Sequence, residues 1–228
     1  MAKSCIDCDY RANCIARDLA GKDLQNFSDS LHRFSVRGKH RVLFNQGEPV
    51  DRSYFLCAGA VKVVRMMPDG DEVIVDVAAA FSVLGKGQLL LDSDHVASIV
   101  TISETVDLSY MQTAVLMEFL QGHARTLERF LILLAEKIQK LYKMLACMKL
   151  PMRKRLLTLI ALLLPVDGAG VIDVPLTSIE LAQLAQTTPE TISRTVQRLR
   201  AEGTIARVGR GRISIRKSIL REHLAQLS

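Results

Sequence analysis

The sequence predicts an α+β chain in which an antiparallel β barrel or roll is joined by one long helix to a helix-turn-helix domain with a wing. Three observations predict it. The stretch VKVVRMMPDGDEVIVDV alternates apolar and polar residues on both sides of Pro68-Asp69-Gly70, a hairpin signal. Leu127, Leu131, Leu134, Ile138, Leu141, Leu145 and Met148 recur at steps of four and three, an a/d heptad seam. LTSIELAQLAQTTPETISRTVQRLRAEG reads as two short helices across a polar break, the second one basic. At 228 residues there is room for two modest domains, each with its own core.

The chain begins with CIDCDYRANC, which sets Cys5, Cys8 and Cys14 within ten residues. No apolar stretch with a small-residue cleavage site accompanies them, which predicts a cytoplasmic chain with reduced thiols. Clustered thiols there point to metal ligation or redox sensing rather than a disulfide framework. From about Phe34 to Tyr110 come short strands: HRVLFNQG, SYFLCAG, the hairpin, HVASIVTI and TVDLSY. In the hairpin Val61 and Val63 share one face, and Val73, Val75 and Val77 resume the alternation beyond the turn. Glycine-punctuated strands in this number suggest the roll. After Gly122 the pattern turns helical. The heptad seam, with further apolar positions at Phe130 and Met144, fits a helix touching both its own roll and a second copy, so a parallel homodimer is expected. Cys147, beside the seam, reads as a buried apolar residue.

Pro151 breaks the chain into the second domain. RKRLLTLIALLL reads as a helix, DGAG as a connector and VIDVP as a short strand. Thr177 can cap a helix from Ser178, with Glu180 in capping-box position. Thr188 can cap the next, with Pro189 at its first position. Ile192, Val196 and Leu199 face the core, while Ser193, Arg194, Gln197, Arg198 and Arg200 point elsewhere. Gly203 ends the helix, and IARVGRGRISI makes two strands of a wing.

Charge is distributed unevenly. From Lys149 onward there are thirteen Lys and Arg against six Asp and Glu; before it, seventeen against eighteen. A basic tail on a neutral first part predicts an anionic partner, with double-stranded DNA ahead of a membrane surface because the tail lacks aromatic anchors. No apolar run approaches the roughly 18–20 residues of a membrane helix. No G-x-S-x-G, H-E-x-x-H, P-loop or dinucleotide fingerprint is present, so an enzyme is not expected. An iron–sulfur electron carrier would explain the cysteines and leave the helix-turn-helix idle.

NQGEP, AGAVKVVRMMPDGDE, the heptad helix and PETISRTVQRLRAEG together resemble the CRP/FNR family of bacterial transcription regulators. The resemblance covers most of the chain. It implies a cysteine-rich segment over 1–20, a cyclic-nucleotide-binding-like sensor roll (a double-stranded β-helix, or jelly roll) over 21–122, a dimerisation helix over 123–150 and a winged helix-turn-helix over 151–228. It implies that the second helix of the motif lies in the major groove, with RNA polymerase as a partner if the chain is an activator. The family's E-x-x-S-R pattern falls on Glu190, Ser193 and Arg194, which share one helical face. Arg194 suits guanine O6 and N7, Glu190 a cytosine amino group, and Ser193 a thymine or adenine edge. Thr188, Gln197 and Arg198 complete the DNA-facing set; Arg198, Arg207, Arg210 and Arg212 are expected to meet phosphate or solvent. Pro189 stands where the CRP subgroup has arginine, so the likeness is to the FNR subgroup and to TTGAT-like palindromes.

C-x2-C-x5-C at Cys5, Cys8 and Cys14 is similar to the N-terminal pattern of FNR-type oxygen sensors, which supplies three thiolates to a [4Fe–4S] cluster. The family's fourth cysteine aligns with Ser109, so the fourth ligand here is expected from Cys57 or Asp107. Haem in the roll, with a ligand from His32, His40, His95 or His123, is the alternative; zinc, plain thiol redox and no cofactor remain beside it. Cyclic nucleotide is not expected: Lys86 follows Gly85 where cyclic-AMP binders carry glutamate, and no arginine lies between Arg65 and Arg125 to clamp a phosphodiester. The expected mechanism is a population shift. A cluster pins the N-terminal segment against the roll and the start of the dimer helix, and oxygen or nitric oxide releases it. Glu128 and Arg129 flank the seam and could tune it.

Overall fold

A computed structural model describes the chain except residues 1–3, 9–10, 92, 165–169, 210–211 and 227–228, and except the side chains of 12, 206–209 and 212. Arg210, most of the DGAG connector and the side chains of Arg207 and Arg212 therefore lie outside the described residues. In chain order the elements are α1 (Gly21–Asp29), β1 (His32–Arg37), β2 (Val42–Phe44), β3 (Arg52–Ala58), β4 (Ala60–Met66), β5 (Glu72–Ala79), β6 (Ser82–Leu84), α2 (Lys86–Leu91), β7 (Ser98–Thr101), β8 (Thr105–Gln112), α3 (Thr113–Gly122), α4 (Ala124–Cys147), α5 (Met152–Leu163), β9 (Val171–Val174), α6 (Ser178–Ala185), α7 (Pro189–Ala201), β10 (Ile205–Gly209), β11 (Arg212–Arg216) and α8 (Lys217–Ala225). They divide into two compact units, Met1–Val63 with Ala78–Ile138, and Val64–Val77 with Gln139–Ser228.

Two four-stranded sheets, ordered β1-β8-β3-β6 and β2-β7-β4-β5, build the roll. Leu56, Leu84, Val106 and Leu108 from the first meet Phe44, Val61 and Ile99 from the second in one buried cluster. The strands alternate, so the other face of the first sheet carries Arg33, Phe55, Cys57, Asp107 and Ser109. That face is covered by the N-terminal segment, α1, α3 and the start of α4. Ile15, Phe27, Leu31, Phe55, Met111 and Phe130 are buried together there, with Cys5 and Cys14 packed against them. Each large apolar side chain so covered contributes about 1.5–3 kcal/mol to seating the segment on the sheet.

The Pro-Asp-Gly turn closes as expected: Met67 N–H donates to Asp71 O at 2.9 Å, and Gly70 takes φ +89°. Its strand β5 departs from the apolar alternation. Ile74 and Asp76 are buried, whereas Val73 and Val75 are half-covered. Asp76 is accommodated because Lys140 Nζ lies 2.7 Å from its carboxylate and donates to Val77 O at 3.2 Å.

Helix α4 carries two stripes. Phe130, Leu133, Met144 and Cys147 are buried, and the Cys147 thiol donates to Met144 O. Leu131, Ile138, Leu141 and Leu145 are 41–72% exposed, as is Tyr142. Leu127 and Leu134 lean into the roll's core, and Met148 follows the last helical residue, so the seam is open chiefly in its middle. Helices α1, α2, α3 and α8 were not expected from the apolar pattern.

In the second unit β9, β10 and β11 form a sheet of order β10-β11-β9. Arg155, from α5, donates to Ala185 O at 3.1 Å and to Leu150 O at 3.3 Å, which fixes the end of α6. Leu156, Leu181, Ile192, Leu199 and Ile215 are essentially inaccessible.

Candidate functional site

Tight turns shape the N-terminal segment. Asp7 N–H donates to Ser4 O, Arg11 N–H to Cys8 O and Cys14 N–H to Arg11 O, all within 3.2 Å. Folded this way, Cys5, Cys8 and Cys14 line one cavity of about 420 Å³. Its opposite wall is the outer face of the first sheet, and Cys57, Asp107 and Ser109 lie there. Phe55 pairs with Ser109 and Leu56 with Leu108, but Ala58 pairs with Asp107, so the register slips at Cys57. A slip of this kind re-aims a side chain, and Cys57 Sγ ends 3.5 Å from Ser109 Oγ. Cys57 and Ser109, the position aligned with the family's fourth cysteine, are thus neighbours on adjacent strands. Asp107 accepts a hydrogen bond from Ser35 Oγ.

The remaining lining is mostly apolar, with Ile15, Phe27, Phe55 and Val83 prominent. Burial pushes the Cys14 thiol up to about 11, and the neighbouring thiols of Cys5, Cys8 and Cys57 push the same way against the Ala16 backbone amide. Burial also raises the Cys57 thiol, opposed by the Ser109 hydroxyl and the Arg33 charge. Cys14 and Cys57 therefore favour the neutral thiol until a cation displaces the proton. Among the described residues no three His, Cys, Asp or Glu side chains converge as ligands of a single ion. The four cysteines that line the cavity are soft donors, the ligand type that iron–sulfur groups and other thiophilic metals take.

Arg33 also lines this cavity, and no sequence pattern points to it because β1 lies outside the cysteine motif. The four histidines expected as haem-ligand candidates do not line this cavity. His32 stacks on Tyr110, His123 stacks on Phe119, and His40 takes φ +58° at the β1–β2 turn. His95 is buried with its ring 3.8 Å from Phe44, and a Cβ on Gly85 would come within 3.1 Å of it. Lys86 opens α2 directly after that glycine.

The other candidate surface is α6–α7. The capping box forms as expected: Glu180 N–H donates to Thr177 Oγ1 at 3.2 Å, and Thr177 N–H donates to Glu180 Oε2 at 2.9 Å. Gln186 takes the left-handed conformation at φ +50°, usually a glycine position, and makes the turn. Thr188 Oγ1 then accepts from Thr191 N–H at 3.3 Å, with Pro189 first in α7. Ile192, Thr195, Val196 and Leu199 are buried, leaving Thr188, Glu190, Ser193, Arg194, Gln197 and Arg198 exposed. The Glu190 carboxyl is held below the usual range by its own backbone amide, the Thr188 hydroxyl and the Arg194 charge. An exposed helix edge with an ionised acceptor and two guanidinium groups matches the chemistry of a major-groove reader.

Residues 127–218 match the model of a Crp-like helix-turn-helix domain, and residues 37–123 match that of a cyclic nucleotide-binding domain. A CRP-like cAMP-activated global transcriptional regulator of Mycobacterium tuberculosis is 27% identical over 175 residues, 74% of this chain and 78% of that protein. An anaerobic regulatory protein of Bacillus subtilis is 23% identical over 210 residues, 88% of this chain and 87% of that one. Among solved structures, FixK2 from Bradyrhizobium japonicum superposes with a TM-score of 0.72 at 19% identity, covering 84% of this chain and 96% of its own. Among the described residues, no helix is long and apolar enough to cross a membrane.

Proposed function

We propose that the chain, a CRP-like DNA-binding transcription regulator by its two domain matches, is a member of the CRP/FNR family that works as a homodimer whose DNA affinity is set by a [4Fe–4S] cluster held by Cys5, Cys8, Cys14 and Cys57. One observation carries the reading: four cysteines from two distant parts of the chain line a single cavity. Bound there, the cluster would supply a group sensitive to oxygen or nitric oxide. The chain's own residues do the rest. Cys5, Cys8 and Cys14 tie the segment to Cys57 on β3, and the segment shares its apolar cluster with Phe130 and Leu133 at the start of α4. Anchorage of the segment steadies that end of the helix, and its release loosens it, shifting the dimer population. The exposed edge of α7 then reads TTGAT-like palindromic half-sites through Glu190, Ser193 and Arg194. Activation through RNA polymerase, should the chain be an activator, follows from the same dimer.

The test is anaerobic reconstitution with iron and sulfide. Broad absorption near about 400 nm that bleaches in air supports the cluster; a sharp Soret band on haem addition assigns haem instead. Addition of cyclic AMP tests the signal named for the mycobacterial relative. Lys86 and the lack of an arginine between Arg65 and Arg125 favour no response, and a cAMP-dependent gain in DNA affinity would overturn this reading of the signal while leaving the DNA-binding reading intact. DNA binding is read by anisotropy across a salt series, where a steep slope marks phosphate contacts.

A further inference from the structure

We propose that Arg33 is the counter-charge of the four-cysteine cavity, a positioning residue whose guanidinium offsets the negative charge of bound thiolates and holds the Cys5 arm in place. The inference rests on the cluster reading above. Among the described residues lining the cavity, Arg33 is the single cation, and Asp107 adds a negative charge. Its Nη2 lies 3.9 Å from Cys5 Sγ, and the β1–β8 register sets it opposite Ser109, beside Cys57. The guanidinium is anchored. Nη2 donates to Ser28 Oγ at 2.6 Å and to Ser28 O at 2.8 Å, and Nη1 reaches Leu31 O at 3.5 Å.

Ser28, 2% exposed, is the hub. Its Oγ also accepts the Cys5 N–H at 3.4 Å, which uses both lone pairs and leaves its hydrogen for Ser4 Oγ at 3.1 Å. One charged side chain therefore reaches the sulfur and, through Ser28, the backbone that carries it. Four thiolates on a doubly charged [4Fe–4S] core make a dianion. In a largely apolar cavity such a charge is costly unless a counter-charge faces it. Arg33 stands where that counter-charge is needed, on the wall and not on the moving segment.

Two variants separate charge from shape: R33K keeps the charge, and R33Q keeps hydrogen-bond donors for Ser28 without it. In the reduced, metal-free chain, Cys5 is alkylated with anionic iodoacetate and neutral iodoacetamide at one pH and the products counted by mass spectrometry. The iodoacetate-to-iodoacetamide ratio falls several-fold in R33Q and is restored in R33K. In the reconstituted chain, R33Q has a lower midpoint potential than wild type, because the more negative reduced state loses its counter-charge, and yields iron to a chelator about tenfold faster, as for loss of an outer-shell partner. R33K again stays near wild type. A wild-type chain that takes up no iron and sulfide overturns the cluster reading. A wild-type chain that loads while R33Q matches it in alkylation ratio, potential and iron loss overturns the Arg33 role alone, as does an R33K that fails together with R33Q.

Discussion

Cys57 and Ser109 sit side by side, 3.5 Å apart, on the wall that faces Cys5, Cys8 and Cys14. That pairing makes the fourth ligand testable by exchange. Cys57→Ala is expected to lower iron retention beyond the roughly 10- to 100-fold of an outer-shell change, and adding Ser109→Cys to it is expected to restore retention, since the new thiol enters the same wall one strand over. Iron analysis after anaerobic desalting checks both; retention in Cys57→Ala equal to wild type removes Cys57 from the set. At the DNA-facing edge, Arg194→Ala is expected to cost about 1–3 kcal/mol on the specific site and to relax one base position, measured by anisotropy at fixed salt on a set of single-base variants. An unchanged sequence preference would remove Arg194 from base reading. Both residues were visible in the sequence, Arg194 by its place in E-x-x-S-R and Cys57 as the one cysteine in the strands. That Cys57 faces the cluster of cysteines was not, because a strand's facing depends on register, and here the register slips at that residue. Arg33 was invisible for the same reason: its partners Ser28 and Cys5 come from α1 and the N-terminal segment, which no periodicity links to β1.

At the scale of elements, what the sequence disclosed was whatever rests on local chemistry. The hairpin turn, the heptad helix, both caps of the helix-turn-helix and the wing strands depend on residues a few positions apart, and they form where the pattern sets them. Elements defined by what they cover were not disclosed. Helix α3 follows β8 with no glycine or proline between them, and the apolar content of TAVLMEFL resembles the strand before it. Buried Asp76 contradicts the alternation of β5 because its partner Lys140 lies more than sixty residues on. Helix α8 belongs with these, and it carries a pH dependence. His223 is 7% exposed, with Nε2 2.9 Å from Thr158 Oγ1 and 3.2 Å from Lys154 O on α5. Burial lowers its pKa below the usual 6.5, and the Arg153 and Lys154 charges act in the same direction against the Lys154 carbonyl. The neutral ring therefore contributes stability that is present above 6.5 and lost as pH falls through the lowered value. Urea unfolding of the full chain at about pH 7.5 and about pH 5 should show this loss, with His223→Gln flattening the difference. An equal pH dependence in the variant would assign the loss to other groups.

For the whole molecule, function depends on pairing, and the exposed stripe of α4 is where pairing is to be sought. Leu131, Ile138 and Leu145 are 52%, 50% and 72% exposed on one helix, while Phe130, Leu133 and Met144 on its other side are buried. A long helix that has already satisfied one face and still shows a heptad of leucine and isoleucine is built for a second helix. In a two-fold dimer each seam residue counts in both copies, so replacing one buried apolar side chain by a charge removes about 3–6 kcal/mol from association. Ile138→Glu and Leu145→Glu are each expected to shift the reconstituted chain to monomer at concentrations where wild type is dimeric, by sedimentation velocity. Leu91→Glu is the control: Leu91 is as exposed as Leu145, at 72%, but lies on α2 and not on the heptad helix. DNA gives the second readout. A dimer neutralises phosphates over two half-sites and a monomer over one, so the salt slope on a palindrome should fall to about half in the seam variants while the half-site sequence preference, set by α7, stays unchanged. Seam variants that keep both the dimer mass and the full slope would place the pairing surface elsewhere on the chain. A seam variant that loses sequence preference as well would mean that the charge had disturbed the reading domain itself.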